Sequence, residues 1–196
     1  ADEGHFSWDF SVCDLEDIVY AISMDTGISI VTDDTVSGKG SFKFSGKDFD
    51  SAFDSFLDSS RLYVEKKDKL WVVSRFKYTE LDGFLYLDAY DLSPNLIVEK
   101  LSEKMKTIIT FDTLPANPIT VHIKSNNEID LLRKLNKFLY GIEMVEDENS
   151  VHFSKNMNLQ KKNMVLNNNC EFIKNEDGSF VIDLKEEDSF VNILNN

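Results

Sequence analysis

Cysteine and histidine are both scarce in this chain of 196 residues, and neither supplies a familiar kind of site. Cys13 and Cys170 lie far apart, in different expected units, so no disulfide framework is indicated. His5, His122 and His152 form no pair at ligand spacing and have no cysteine beside them, so neither a metal nor a cofactor is expected. The hydrolase elbow GxSxG is missing, and no Ser or Cys nucleophile is flanked by a His and an acid, so the chain reads as a non-enzyme. No apolar run approaches the roughly 20 residues that span a bilayer, and direct membrane insertion of this stretch is not expected. Its polar start, Ala1-Asp2-Glu3-Gly4, suits either a mature end left by signal cleavage or an arbitrary boundary. Positive charge is also short: 21 Lys and Arg face 35 Asp and Glu, a formal charge of -14. That balance opposes the counterion release on which nucleic-acid binding depends, and it disfavours an anionic membrane face.

Two apparent motifs fail on their spacing. Ser37-Gly38-Lys39-Gly40-Ser41 lacks the first Gly of a phosphate loop and leads into a strand, so it reads as a turn between strands. Asp14-Glu16-Asp17, Asp33-Asp34, Asp147-Glu148 and Glu186-Glu187-Asp188 do not follow the alternating calcium-loop pattern, and they read as helix starts and turns. His122 is in phase with Thr120 and Lys124, and His152 with Ser150 and Ser154, which turns both towards solvent.

Aromatic and aliphatic periodicity is plentiful. Asp14 stands where a helix N-cap belongs, Leu15, Ile18, Val19 and Ile22 share one helical face, and Gly27 ends that helix before the β-branched run Ile28 to Thr32. Phe42 and Phe44 alternate with Ser41, Lys43 and Ser45 as a half-buried strand. Asp48 then caps a second helix, with Phe49, Ala52, Phe53, Phe56 and Leu57 on its apolar side and Asp50, Asp54 and Asp58 opposite. Leu62 to Lys66 and Leu70 to Ser74 close the unit as a hairpin. The order is strand, helix, two strands, helix, two strands.

The chain then repeats this order. Arg75 to Gly83 reads as a linker and Phe84 to Ala89 as a strand. Ser93-Pro94 opens a helix with Leu96, Ile97, Leu101 and Met105 as its stripe, and Ile108 to Phe111 is the next strand. Pro115 to Pro118 turn the chain, Ile119, Val121 and Ile123 alternate, and Leu131, Leu132, Leu135, Phe138 and Leu139 mark a helix ended by Gly141. A hairpin of Ile142 to Glu146 with Val151 to Ser154 completes it. Cys13-Asp14-Leu15 is matched to Tyr90-Asp91-Leu92, and Asp34-Thr35-Val36 to Asp112-Thr113-Leu114. A hairpin around Asn175 to Gly178, and the stripe Phe190, Val191 and Leu194, read as the start of a third unit. The expected fold is therefore α+β: tandem small mixed domains at 1-80 and 81-158, then a linker and a truncated third unit at 159-196.

Asp14 and Leu15 at a helix start, Gly27 at its end, and Val36, Gly38 and Lys39 as Val-x-Gly-Lys before an alternating strand form one pattern within Asp9 to Leu57. In this pattern the segment resembles the short N-terminal domain shared by bacterial outer-membrane secretins and the signalling extension of TonB-dependent receptors. The second unit follows it more loosely, with Pro118 taken to stand where Gly40 would be. The series of small domains fits the secretin form better, since the receptor form has one such domain before a plug. The resemblance implies a non-catalytic periplasmic assembly module whose partners are neighbouring subunits in a ring and an inner-membrane platform protein, the isolated fragment being a monomer. The alternatives are a receptor signalling domain acting on an anti-sigma regulator, a stand-alone periplasmic adaptor, and a small enzyme.

Phe53→Ala removes a ring assigned to the core and is expected to cost roughly 3 to 5 kcal/mol, whereas Asp54→Ala on the opposite side changes little. Thermal melts of the two variants check this, and equal melting temperatures would put the aromatic stripe on the surface.

Overall fold

The structure, a computed structural model, describes residues 5–156 in full and, further on, the strands Cys170–Lys174 and Phe180–Leu184. The first unit runs β1 (Phe6–Asp14), α1 (Leu15–Thr26), β2 (Ile30–Thr32), β3 (Lys39–Gly46), α2 (Phe49–Ser60), β4 (Tyr63–Lys67) and β5 (Leu70–Ser74). β1 and β3 pair antiparallel as one sheet. In the other sheet β5 lies in the middle, parallel to β2 and antiparallel to β4. The second unit has an extra leading strand, β6 (Phe76–Leu81). It continues through β7 (Phe84–Leu92), α3 (Pro94–Lys104), β8 (Ile108–Phe111), β9 (Ile119–Ser125), α4 (Glu128–Asn136), β10 (Ile142–Asp147) and β11 (Ser150–Lys155). Its sheets are β6-β7-β9 and β10-β11-β8, the latter again with one parallel and one antiparallel pair. The chain is thus a tandem of small α+β units with the same order of elements and the same strand partners.

The repeat is exact enough to number. Helix caps Asp14 and Ser93, and Asp48 and Asn127, are each 79 residues apart. The buried stripe Leu15, Ile18, Val19, Ile22 returns at the same interval as Pro94, Ile97, Val98, Leu101, and Ala52, Phe53, Phe56 as Leu131, Leu132, Leu135. The interval holds at a strained point as well. Val12 and Asp91 both take a left-handed φ, 53° and 51°, where β1 and β7 bulge before entering their helices. Such a conformation costs of order 1 to 3 kcal/mol in a non-glycine residue. In both units a hydroxyl on the neighbouring strand accepts the bulged N–H, Ser41 Oγ at 2.9 Å and Thr120 Oγ1 at 3.1 Å.

Each unit has its own core. The first is aromatic: Phe53 stacks on Phe49 at 5.5 Å, Phe56 meets Phe42 at 5.3 Å, and Trp8 packs among Phe6, Phe42, Phe44 and Phe49. The second is aliphatic, with Leu132 and Leu135 at the positions of Phe53 and Phe56 and Phe153 buried beneath them.

Four expectations need correction. The segment Arg75 to Gly83 is not a linker, because Phe76–Leu81 is strand β6, paired with β7 across an Asp82-Gly83 turn at φ 52° and 75°. Two left-handed residues are what a tight hairpin requires. The match of Cys13-Asp14-Leu15 to Tyr90-Asp91-Leu92 is two residues out of register, since the bulge and cap pair Asp14 with Ser93. Likewise Asp33, not Asp34, is the counterpart of Asp112: their N–H groups bond to the carbonyls of Val73 and Phe153, and Pro118 accordingly corresponds to Lys39, not Gly40. Finally, α4 stops at Asn136, and Phe138 and Leu139 are held by i→i+3 bonds to Leu135 and Asn136, leaving Phe138 half exposed. The stripe Phe190, Val191 and Leu194 and the expected linker that opens 159-196 lie outside the described residues. Where a third unit is expected, an antiparallel pair, β12 (Cys170–Lys174) with β13 (Phe180–Leu184), is described.

Glu128 ties the start of α4 to the turn after α3. Its carboxylate accepts from the N–H groups of Lys106 and Thr107 at 3.1 and 2.9 Å and from Thr107 Oγ1 at 2.6 Å. Burial works to raise its pKa, but these bonds and the Lys106 charge outweigh it and the net shift is downward. A depressed carboxylate contributes stability that is present above its unfolded pKa and lost as pH falls through the folded one. Glu128→Ala should therefore cost about 1 to 3 kcal/mol at neutral pH. In urea titrations its deficit should shrink as the pH is lowered through the carboxylate range, and a deficit independent of pH would deny the carboxylate this role.

Candidate interface at the junction of the two units

The six motif positions are mostly drawn together around the loop from Asp33 to Lys39. Leu15 is buried at the start of α1, and its N–H bonds to the carbonyl of Gly38 at 3.0 Å. Asp14 makes no capping bond; it faces Lys39 across the β1–β3 pair, with 3.5 Å between charges. Val36 is buried and its N–H bonds to Asp33 O, while Gly38 takes φ 92°, a backbone state open to glycine. Gly27 stands apart at the far end of α1, where its left-handed φ of 72° closes the helix. All six are structural positions.

The same loop holds the two units together. One residue, Arg75, separates β5 from β6. Its N–H donates to Thr35 Oγ1 at 2.7 Å, its Nη2 to Ser37 O at 2.8 Å, and its carbonyl accepts from Tyr90 N at 3.1 Å. Thr35 is itself fixed by Asp33 Oδ1 and by Ser74 Oγ. The Tyr90 ring of β7 lies against two guanidinium groups, Arg61 at 4.7 Å and Arg75 at 5.5 Å from its centroid. From the second unit, Lys100 of α3 reaches Asp34 at 2.6 Å and Asp33 at 3.6 Å, and Lys104 reaches Glu65 at 3.8 Å. Burial tends to lower the Lys100 pKa, but the Asp34 hydrogen bond and the charges of Asp33, Asp34 and Glu103 prevail and raise it, so the ammonium stays charged.

Between these contacts lies a cleft of about 330 Å³, lined by Tyr63, Val64 and Val72 of the first unit and by Phe76, Tyr78 and α3 of the second. Burial raises the Tyr63 phenol, helped by Asp88, and raises the Tyr78 phenol, helped by Glu128 and Glu80. Two of the cleft's lysines, Lys100 and Lys104, are paired with acids, and both tyrosines are held protonated, a set suited to contact more than to proton transfer. His152 does lie between Thr110 Oγ1, at 2.8 Å, and Asp112, at 3.5 Å. These three sit on the outer face of β8 and β11 and line neither this cleft nor the pockets beside Glu128 and Asp54. His122 bonds Asp88 at 2.7 Å on an exposed strand face. Among the described residues no three His, Cys, Asp or Glu side chains gather as metal ligands.

Sequence reasoning missed Arg75, Tyr90 and Lys100. The Asp82-Gly83 turn carried the usable signal: it makes 76–81 a strand and so leaves one residue between the units. No protein-family model matches the chain, and comparison with curated proteins gives no match.

Proposed function

We propose that this chain is a non-catalytic protein-binding module from the periplasmic arm of a secretin-like outer-membrane complex. The observation that carries the reading is the tandem itself: two units of one topology in direct series, an arrangement suited to a stacked arm and unlike a receptor extension with one domain. Each unit has short open sheets, so strands such as β4 and β6 keep one edge unpaired and available for strand addition by a neighbour. The charge of -14 favours a partner with a basic patch and disfavours nucleic acid. Among the described residues no helix is long and apolar enough to cross a membrane; in this reading the stretch stands beside the membrane-embedded part. In this reading the partners are neighbouring copies in a ring and an inner-membrane platform protein. The isolated fragment is monomeric at low concentration, and assembly follows from the high local concentration in the whole protein.

Crosslinking in cells of the full-length protein carrying Lys67→Cys, at the tip of the β4–β5 hairpin, should give a ladder of oligomers. A single monomer band, from a gene that stops soon after Asn196, would remove the secretin reading and leave a stand-alone adaptor.

A further inference from the structure

The two hydrophobic cores share no residue: one ends with Val73, the other begins with Phe76. What crosses between the units is polar. At the pivot the backbone of Arg75 is bonded to Thr35 on one side and Tyr90 on the other, so Ser74 to Phe76 is held in place. Beside that pivot Lys100 of α3 reaches Asp34 and Asp33, the latter also holding Thr35, and Lys104 reaches Glu65 of β4. Relative motion of domains is the default where two cores stay separate, and it is restrained here by the Arg75 bonds, by Arg61 and Arg75 on the Tyr90 ring, by Lys77 against the Tyr63 ring, and by the Lys100 and Lys104 ion pairs, the charge contacts that α3 makes at the cleft.

We propose that the junction is a hinge at Arg75 held shut by Lys100 and Lys104, and that release of this clamp opens the cleft between β4 and β6. Opening uncovers Tyr63, Val64, Val72, Phe76 and Tyr78 beside the free edges of both strands. The opening partner is one that brings a Lys or Arg side chain to compete with Lys100 for Asp33 and Asp34, in keeping with the acidic surface. The two clamps differ in sensitivity to salt. Lys100 is largely covered, with a side chain 17% exposed, and its pair is weakly screened, whereas Lys104 and Glu65 are more open and lose attraction as ionic strength rises. The use of the cleft by a partner rests on the assembly reading; the hinge does not.

The test uses the whole chain with Cys13→Ser and Cys170→Ser, spin labels at Lys67→Cys and Tyr140→Cys, and dipolar measurement of the distance between them. The parent should give one narrow distance at low salt and, as the Lys104 pair weakens while the Lys100 pair persists, a modestly broader one at high salt. Lys100→Met with Lys104→Met should give a distribution at least about twofold broader at both, with the circular dichroism of the folded chain retained. Should the double variant fail to fold, the salt series on the parent decides. A distance as narrow in the double variant as in the parent, or no response of the parent to salt, overturns the hinge. Broadening together with a monomer band in the cell crosslinking would keep the hinge and remove the secretin reading.

Discussion

Each unit depends on burying two short amphipathic helices against two small sheets. A unit of about 80 residues covers only roughly 60 to 65% of the surface exposed when unfolded, so each has little apolar area to spare. The helix stripes must therefore point inward over their whole length, and the strand entering the first helix must be turned sharply to allow it. The bulges at Val12 and Asp91 make that turn, and the hydroxyls of Ser41 and Thr120 satisfy the N–H groups the bulges free. Strain in the backbone is thus tied to the packing it permits.

The same constraint is met with different residues. Rings fill the first core and leucines the second, yet the buried positions keep an interval of 79 residues through both helices of the pair. The loops are freer. Asp33 holds Thr35 and, through it, the junction, whereas its counterpart Asp112 faces His152 on an open sheet face, and Pro115 to Pro118 stand in place of Val36 to Lys39. A duplicated framework with divergent loops concentrates what is distinctive in this protein at the junction.

Much of this was legible in the sequence because periodicity reports burial directly. The helices at Leu15, Phe49, Pro94 and Leu131, their caps at Asp48 and Ser93, and the closing hairpins follow from residue spacing alone. Register was harder, since matching by residue type aligned Asp91 with Asp14, whereas backbone conformation aligns it with Val12. The junction was not legible for a different reason. Arg75, Tyr90 and Lys100 act through contacts between units, and a Lys on the outside of a helix looks the same whether it meets water or an acid from elsewhere. The motif positions Asp14, Leu15, Gly27, Val36, Gly38 and Lys39 were found as a pattern, and their geometry gives them work in shaping the first unit.

Two modules with separate cores and one joint suit the proposed assembly role, in which neighbours are met at a fixed spacing but a variable angle. The claim beneath it is that the two units fold on separate cores. Hydrogen exchange on Phe56→Ala and Leu135→Ala, the equivalent buried positions of α2 and α4, tests this most directly. Each variant should lose protection across its own unit, β1 to β5 for the first and β6 to β11 for the second, and leave the other as in the parent. Equal loss of protection across both units from either substitution would contradict the account.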